Sequence, residues 1–344
     1  MKPFTRLLLA CFAIFLFSLD LPPALAQTVR LFGAGATLPV PIYAEWFRQF
    51  NHEHPNVQVD YQGMRSGAGI QSFIDGRIDF GGSDGAMSDE HIGKVDGGVV
   101  LIPITAGAIV LGYNLPGVPK GLKLPRDVYP DIFLGRIARW NDPRIAAANP
   151  DLTLPDLPIT VVTRFDASGT DYVFTKHLAA ISPAFAKEIG SGIGANWPSA
   201  SPFVSRARNE GVTVAIQRTP GAIGYLESSF GRFVDLTTAA LQNKAGHYVQ
   251  ATAESGKAAL ASAKLDDHLR GGVDDPEGAE SYPIVTFTWL LFRKKTGEPK
   301  AAVARDLVAF CASEPRQAEA EQLGYIPLPA NVIDKIKAAI PEIR

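Results

Sequence analysis

The amino-acid sequence predicts an α/β fold of two α/β domains joined by two crossover segments, with a ligand cleft between them. β-Rich runs alternate with amphipathic helical runs through Val29–Ser83, and two long apolar β-rich runs, Gly97–Pro116 and Tyr282–Lys294, lie far apart in the chain. Glycine- and serine-rich turns repeatedly close a strand pattern and open a helix pattern. Such alternation argues for a parallel sheet with helical crossovers. A strand of about fifteen residues is longer than one sheet commonly uses, so each long run is expected to pass from one domain into the other.

The first element is expected to be a leader, residues 1–26. Lys2 and Arg6 precede the apolar run LLLACFAIFLF, and Ala24–Ala26 form a small-residue cleavage signal. Leu8, Leu9 and Ala10 before Cys11 resemble a lipoprotein box. Only a short apolar stretch precedes them, so the later cleavage site is favoured and the mature chain is expected in the periplasm.

VRLFGAG then reads as a strand, and PVPIYAEWFRQFNHEHP as a helix with Ile42, Trp46 and Phe50 on one face and Pro39 in its first turn. VQVDYQG reads as a strand, GAGIQSFIDG as a short helix and RIDFGGS as a third strand. Ile159–Val162 reads as a buried strand, followed by a helix with Val173, Phe174, Leu178 and Ile181 on one side. The last forty-odd residues read as helices. If both long runs are crossings, one domain is discontinuous, 27–106 plus 285–344, and the other, 107–284, is inserted into it.

Of 344 residues, 46% are hydrophobic and 20% charged, an ordinary globular balance with enough chain for two cores. Without Lys2, Arg6 and Asp20 the formal charge moves from −2 to −3, so no general attraction for nucleic acid is expected. Cys311 is then the one remaining cysteine and reads as a buried apolar residue. The six histidines show no metal-ligand spacing; His52 and His54 flank Glu53 at a helix end, and no metal or cofactor is expected.

Four turns sit between strand and helix: GAGATLP, YQGMRSGAG, DFGGSDGAMSDE and RFDASGTD. In open α/β sheets, ligands bind beyond the carboxyl ends of strands. The fourth turn places Arg164 and two hydroxyls beside the first free N–H groups of a helix, a suitable setting for an anion. On these residues alone, a serine-capped helix with a surface arginine fits equally well. GAGAT lacks the third glycine of a dinucleotide fingerprint, because Leu38 and Pro39 follow, and no Walker lysine follows any glycine loop.

Together with QRTPGAIGYLE, these turns resemble the periplasmic phosphate-binding protein of the phosphate ABC transporter, in order along nearly the whole mature chain. The resemblance implies a type II periplasmic binding protein fold, and a monomer that delivers inorganic phosphate to inner-membrane permease subunits working with a cytoplasmic ATPase. By residue, it implies Thr37 (hydroxyl), Leu38 (N–H), Ser66 (hydroxyl and N–H) and Asp84 (acidic ligand) from one domain. Arg164, Ser168, Gly169 and Thr170 would come from the other, with Asp166 orienting Arg164. Arg65 and Ala68 stand where the family commonly has glycine, and the proline that often follows the aspartate is missing. Arg65 is expected to be a solvated surface residue rather than a second cation at the cleft.

The residue types suit the task. A dry anion needs its oxygens saturated by donors, and helix N-termini supply partial positive charge without lysines. Asp84 would repel an anion unless the anion carries a proton for it to accept. Phosphate does and sulfate does not, so sulfate and molybdate receptors are disfavoured. The alternative for Asp84 is a cap on the following MSDE helix. A phosphatase using Ser168 or Thr170 is also disfavoured. The nearest histidine, His177, lies nine residues on, about 13 Å along a helix axis, too far to activate Ser168.

Overall fold

The computed structural model describes residues 28–344; the expected leader, residues 1–26, lies outside the described residues. Val29–Gly35 (β1) leads into Val40–Glu53 (α1), which buries Ile42, Tyr43, Trp46, Phe47 and Phe50. The three-to-four-residue spacing of these large side chains puts them on one stripe, so the helix is held mainly by that face. Val57–Gly63 (β2) pairs with β1 in parallel, from Val29 opposite Val57 to Gly35 opposite Gly63. Ser66–Ile74 (α2) returns the chain to Phe80–Ser83 (β3), parallel to β1 on its other side.

Gly69 explains how closely α2 lies on the sheet. A Cβ built there would stand 2.5 Å from Gly35 Cα and 2.9 Å from the Ala34 carbonyl oxygen. The close approach thus falls on Gly69, while the neighbouring Ala68 is half-buried.

Val99–Tyr113 (β4) is buried along all its 15 residues. At about 3.4 Å per residue it extends roughly 50 Å. Beyond it, Thr160–Arg164 (β5) leads to Gly169–Ile181 (α3), Phe203–Arg206 (β6) to Arg208–Arg218 (α4), and Ala222–Glu227 (β7) to Ser228–Phe233 (α5). Val285–Arg293 (β8) precedes Lys300–Cys311 (α6), Glu314–Gln322 (α7) and Ala330–Ala339 (α8). Cys311 is fully buried, as its apolar neighbours predict.

The strands form one sheet in the order β2-β1-β3-β8-β4-β7-β5-β6. Its two ends are parallel, as the alternating pattern predicts. Its middle is not: β8 runs antiparallel to β3 and β4, and β4 antiparallel to β7. The two long runs cause this, because the chain leaves along one and returns along the other. Val99–Ala108 of β4 pairs with β8, whereas Ile109–Tyr113 pairs with β7, so one strand serves both halves. The β4–β8 register shifts between Thr288 and Trp289, opposite Pro103, where a residue without an N–H is accommodated at a bulge.

Candidate anion-binding site

Each candidate residue sits where a strand gives way to a helix or turn. Thr37 and Leu38 follow β1, Ser66 opens α2, Asp84 follows β3, and Arg164 ends β5 with Ser168 as the N-cap of α3. Thr37, Leu38, Ser66, Asp84, Arg164, Ser168 and Thr170 are each no more than 3% exposed, and Asp166 is 6% exposed. Burying so many polar groups is costly unless they bond to one another or to something else.

Most of their partners are visible. Ser66 Oγ accepts from the Asp84 amide at 3.2 Å, and the Thr288 hydroxyl donates to Asp84 Oδ1 at 2.9 Å. Ser168 Oγ accepts from the Asp171 amide at 3.2 Å, which caps α3 and leaves the amides of Gly169 and Thr170 in the unpaired first turn. Arg164 donates from Nε and Nη2 to the two oxygens of Asp166, both at 2.6 Å. This planar, two-bond pairing orients the guanidinium. The Arg164 backbone N–H donates to the Tyr225 hydroxyl at 2.9 Å, tying β5 to β7.

The two ends of the sheet meet at these residues. A Cβ built on Gly169 would stand 2.4 Å from Ser66 Oγ, 2.7 Å from Asp84 Cβ and 3.0 Å from Asp84 Oδ2. Gly169 is therefore needed for its lack of a side chain, letting the start of α3 press on Ser66 and Asp84. Asn209, near the start of α4, donates to Thr37 Oγ1 at 3.3 Å, and the neighbouring Arg208 amide donates to Asp166 at 3.4 Å. Thr37, Ser66 and Asp84 are thus drawn to Arg164, Ser168, Gly169 and Thr170 in one buried cluster.

Two polar atoms in this cluster, Arg164 Nη1 and Thr170 Oγ1, are buried without a hydrogen-bond partner among the described residues. A buried unpaired donor costs about 1–3 kcal/mol, more when charged. Both therefore point to a guest that supplies acceptors.

The titratable groups divide sharply. Burial pushes the Asp84 carboxyl up to about 7, against the Thr288 hydroxyl, the Arg164 charge and the Ser66 hydroxyl, which favour its ionised form. Burial also pushes Asp166 up, but the hydrogen bonds and charge of Arg164 outweigh it and hold that carboxyl below its ordinary value. Asp166 thus balances the fixed charge of Arg164, while Asp84 exchanges its proton near neutral pH. Any anion held here relies on amide and hydroxyl dipoles as much as on net charge.

Several expectations about neighbouring residues meet the structure here. Ser88, not Asp84, caps the short helix Asp89–Ile92, so Asp84 is free of that structural role. Arg65 is exposed. The Nε2 of His177 is engaged with the Tyr129 hydroxyl at 2.7 Å. Among the described residues no group of three His, Cys, Asp or Glu side chains could hold a metal ion.

Sequence reasoning misses Asn209, Tyr225, Tyr61, Tyr325 and Thr288. Tyr61 donates to the Ala36 carbonyl at 2.9 Å and Tyr325 to the Leu38 carbonyl at 2.7 Å, which fixes the turn on either side of Thr37. Nothing local to the tyrosines marks which distant group each hydroxyl will meet. Thr286 and Thr288 carried a faint signal, two hydroxyls in an otherwise apolar strand.

Two α/β halves, antiparallel crossing strands and a buried anion-suited cluster between strand ends define the type II periplasmic binding protein fold. The model of the PBP superfamily domain matches residues 22–315. The phosphate-binding protein PstS of Pasteurella multocida is 38% identical over 316 residues, 91% of this chain and 90% of that one. The phosphate-binding protein PstS of Haemophilus influenzae is 36% identical over 91% of this chain and 93% of that one. The chain belongs to the PBP superfamily and, within it, to the family of the phosphate-binding proteins PstS. The crystal structure of a phosphate-binding protein from Stenotrophomonas maltophilia shares the fold with a TM-score of 0.70 and 19% identity, covering 90% of this chain and 93% of that one.

Proposed function

We propose that this protein reversibly binds inorganic phosphate in the periplasm and delivers it to the permease of an ABC-type phosphate importer, without catalysing a reaction. The observation that carries the reading is the pair of buried, unpartnered donors, Arg164 Nη1 and Thr170 Oγ1, in a cluster where the first-turn amides of α3 also lie. The names of the curated relatives supply the chemistry of the guest.

In this reading Thr37, Ser66, Ser168 and Thr170 contribute hydroxyls, and Leu38, Ser66, Gly169 and Thr170 contribute N–H groups. Arg164 supplies the fixed charge, oriented by Asp166. Asp84 shares one proton with the ligand: with hydrogen-bearing phosphate the proton lies between two oxygens, whereas fully ionised sulfate would face a carboxylate with none. Each charge-assisted hydrogen bond contributes about 1.5–3 kcal/mol. A handful of them reaches the roughly −8 kcal/mol of micromolar binding after the cost of closure.

The lobes that close would be 27–106 plus 285–344, and 107–284, hinging where β4 and β8 pass between them. Residues 1–26 would be the export signal. The protein would act as a monomer, and the permease would work with a cytoplasmic ATPase. No helix among the described residues is long and apolar enough to cross a membrane.

Isothermal calorimetry of the mature chain tests the reading. One phosphate per chain is expected, with sulfate at least tenfold weaker at pH 8 and no phosphate release from simple esters. Absence of phosphate binding, or ester turnover lost in Ser168→Ala, overturns it.

A further inference from the structure

We infer that Thr288 is a positioning residue for anion selectivity: its hydroxyl occupies Oδ1 of Asp84 and leaves Oδ2 as the oxygen that faces the ligand. The inference rests on the phosphate reading above and adds a residue to it.

The geometry begins with strand register. Ser83, the last residue of β3, lies opposite Trp289 of the antiparallel β8, so the next residue, Asp84, comes beside Thr288. The β4–β8 bulge falls between Thr288 and Trp289. Thr288 is fully buried. Its hydroxyl has one hydrogen and two acceptors within reach, Asp84 Oδ1 at 2.9 Å and the Ser83 carbonyl at 3.3 Å. The shorter contact, to the group that can carry charge, is the stronger. Two residues earlier on the same face, the Thr286 hydroxyl has two carbonyl acceptors within reach, Phe287 at 2.9 Å and Asp84 at 3.1 Å. β8 therefore holds one carboxylate oxygen of Asp84.

The other oxygen, Oδ2, lies toward Gly169, 3.0 Å from where a Cβ on that glycine would stand. Gly169 opens α3, whose first amides and Thr170 hydroxyl are the proposed anion donors. Fixing Oδ1 thus decides which oxygen meets the ligand's proton. With that hydroxyl removed, the carboxylate can rotate, and the charged form of Asp84 loses its strongest hydrogen-bond partner.

Other groups also act on Asp84. Arg164 acts from the end of β5, Tyr43 from α1, Tyr61 from β2, Glu227 from the end of β7, and Tyr325 from the segment before α8. Burial keeps the three tyrosines in their neutral form across the range tested. Burial pushes the Glu227 carboxyl up to about 8, and the charge of Asp84 raises it further, so it titrates in the same range.

The test compares the parent with Thr288→Val, which keeps the shape without the hydroxyl, and Thr288→Ser, which keeps the hydroxyl. Thr288→Ala replaces the valine variant if valine disturbs the strand. Phosphate and sulfate affinities are measured by calorimetry between pH 5.5 and 8.5, with melting temperature as a control. Sulfate is expected to bind better once Asp84 carries a proton to donate. In Thr288→Val the midpoint of that sulfate profile moves up by about one pH unit, a tenfold change in proton affinity, and phosphate at pH 8 binds at least tenfold more weakly. Thr288→Ser restores both. If the parent binds phosphate but the valine or alanine variant shows the parent's profile and affinity, Thr288 is merely structural and the inference fails alone. If the parent binds neither ion, the phosphate reading fails and takes this inference with it.

Discussion

Asp84→Asn should make the ligand-free protein more stable while making it a poorer judge of anions. Burial lifts the Asp84 carboxyl from 3.8 to about 7. Between those values the folded protein keeps a proton that the unfolded chain has released, so stability falls as pH rises through the interval. Above pH 7 both states are ionised, and the folded state carries the whole penalty, on the order of 4 kcal/mol. Asparagine has the same shape, can still accept from the Thr288 hydroxyl, and never ionises. Urea denaturation in phosphate-free buffer at pH 4, 6 and 8 should show parent and variant equal at pH 4. At pH 8 the variant should lead by up to about 4 kcal/mol. The same variant should lose at least tenfold of its preference for phosphate over sulfate, because the amide no longer accepts the ligand's proton. Parallel stability curves at all three pH values would refute the account of Asp84 as a group strained by its own burial.

Sulfate should compete better against phosphate in the parent protein as pH falls from 8 to 6, since a protonated Asp84 can then donate to it; competition calorimetry reads the trend. Gly169→Ala should weaken phosphate binding about 10- to 100-fold with an unchanged circular dichroism spectrum. The added methyl would collide with Ser66 Oγ and Asp84 Cβ across the cleft. Arg164→Lys should weaken it about 100-fold or more, because the three donors of an ammonium spread from one nitrogen and cannot reproduce the planar pairing with Asp166 while a separate nitrogen, Nη1, serves the ligand. Gly69→Ala should lower the melting temperature by roughly 2–10 °C, measured by calorimetry, since its methyl would meet the Gly35 backbone.

Local signals made much of this protein legible before any coordinates. Val29–Gly35 and Val57–Gly63 match their predicted strand bounds, because apolar residues at alternate positions running up to a glycine leave little ambiguity. The helix bearing Ile42, Trp46 and Phe50 followed from spacing alone. The length of Gly97–Pro116 implied a segment shared between two halves, and β4 does pair with both. The turns that hold the candidate ligands were legible because unpaired amides must occur where a strand gives way to a helix, while the individual residues were implied by the family resemblance.

What only the tertiary structure decided depends on contacts between residues distant in the chain. The chemistry of Asp84 is one case: a carboxylate in a turn reads as an ordinary acid. Its proton affinity is set by burial and by Thr288, 204 residues away. The antiparallel centre of the sheet is another, since strand direction follows from where the chain returns rather than from composition. Asn209, which ties α4 to Thr37, has no local mark at all. Side-chain periodicity reports which face of an element is buried; it carries no information about which distant group will be buried against it, and that pairing sets charge and selectivity here.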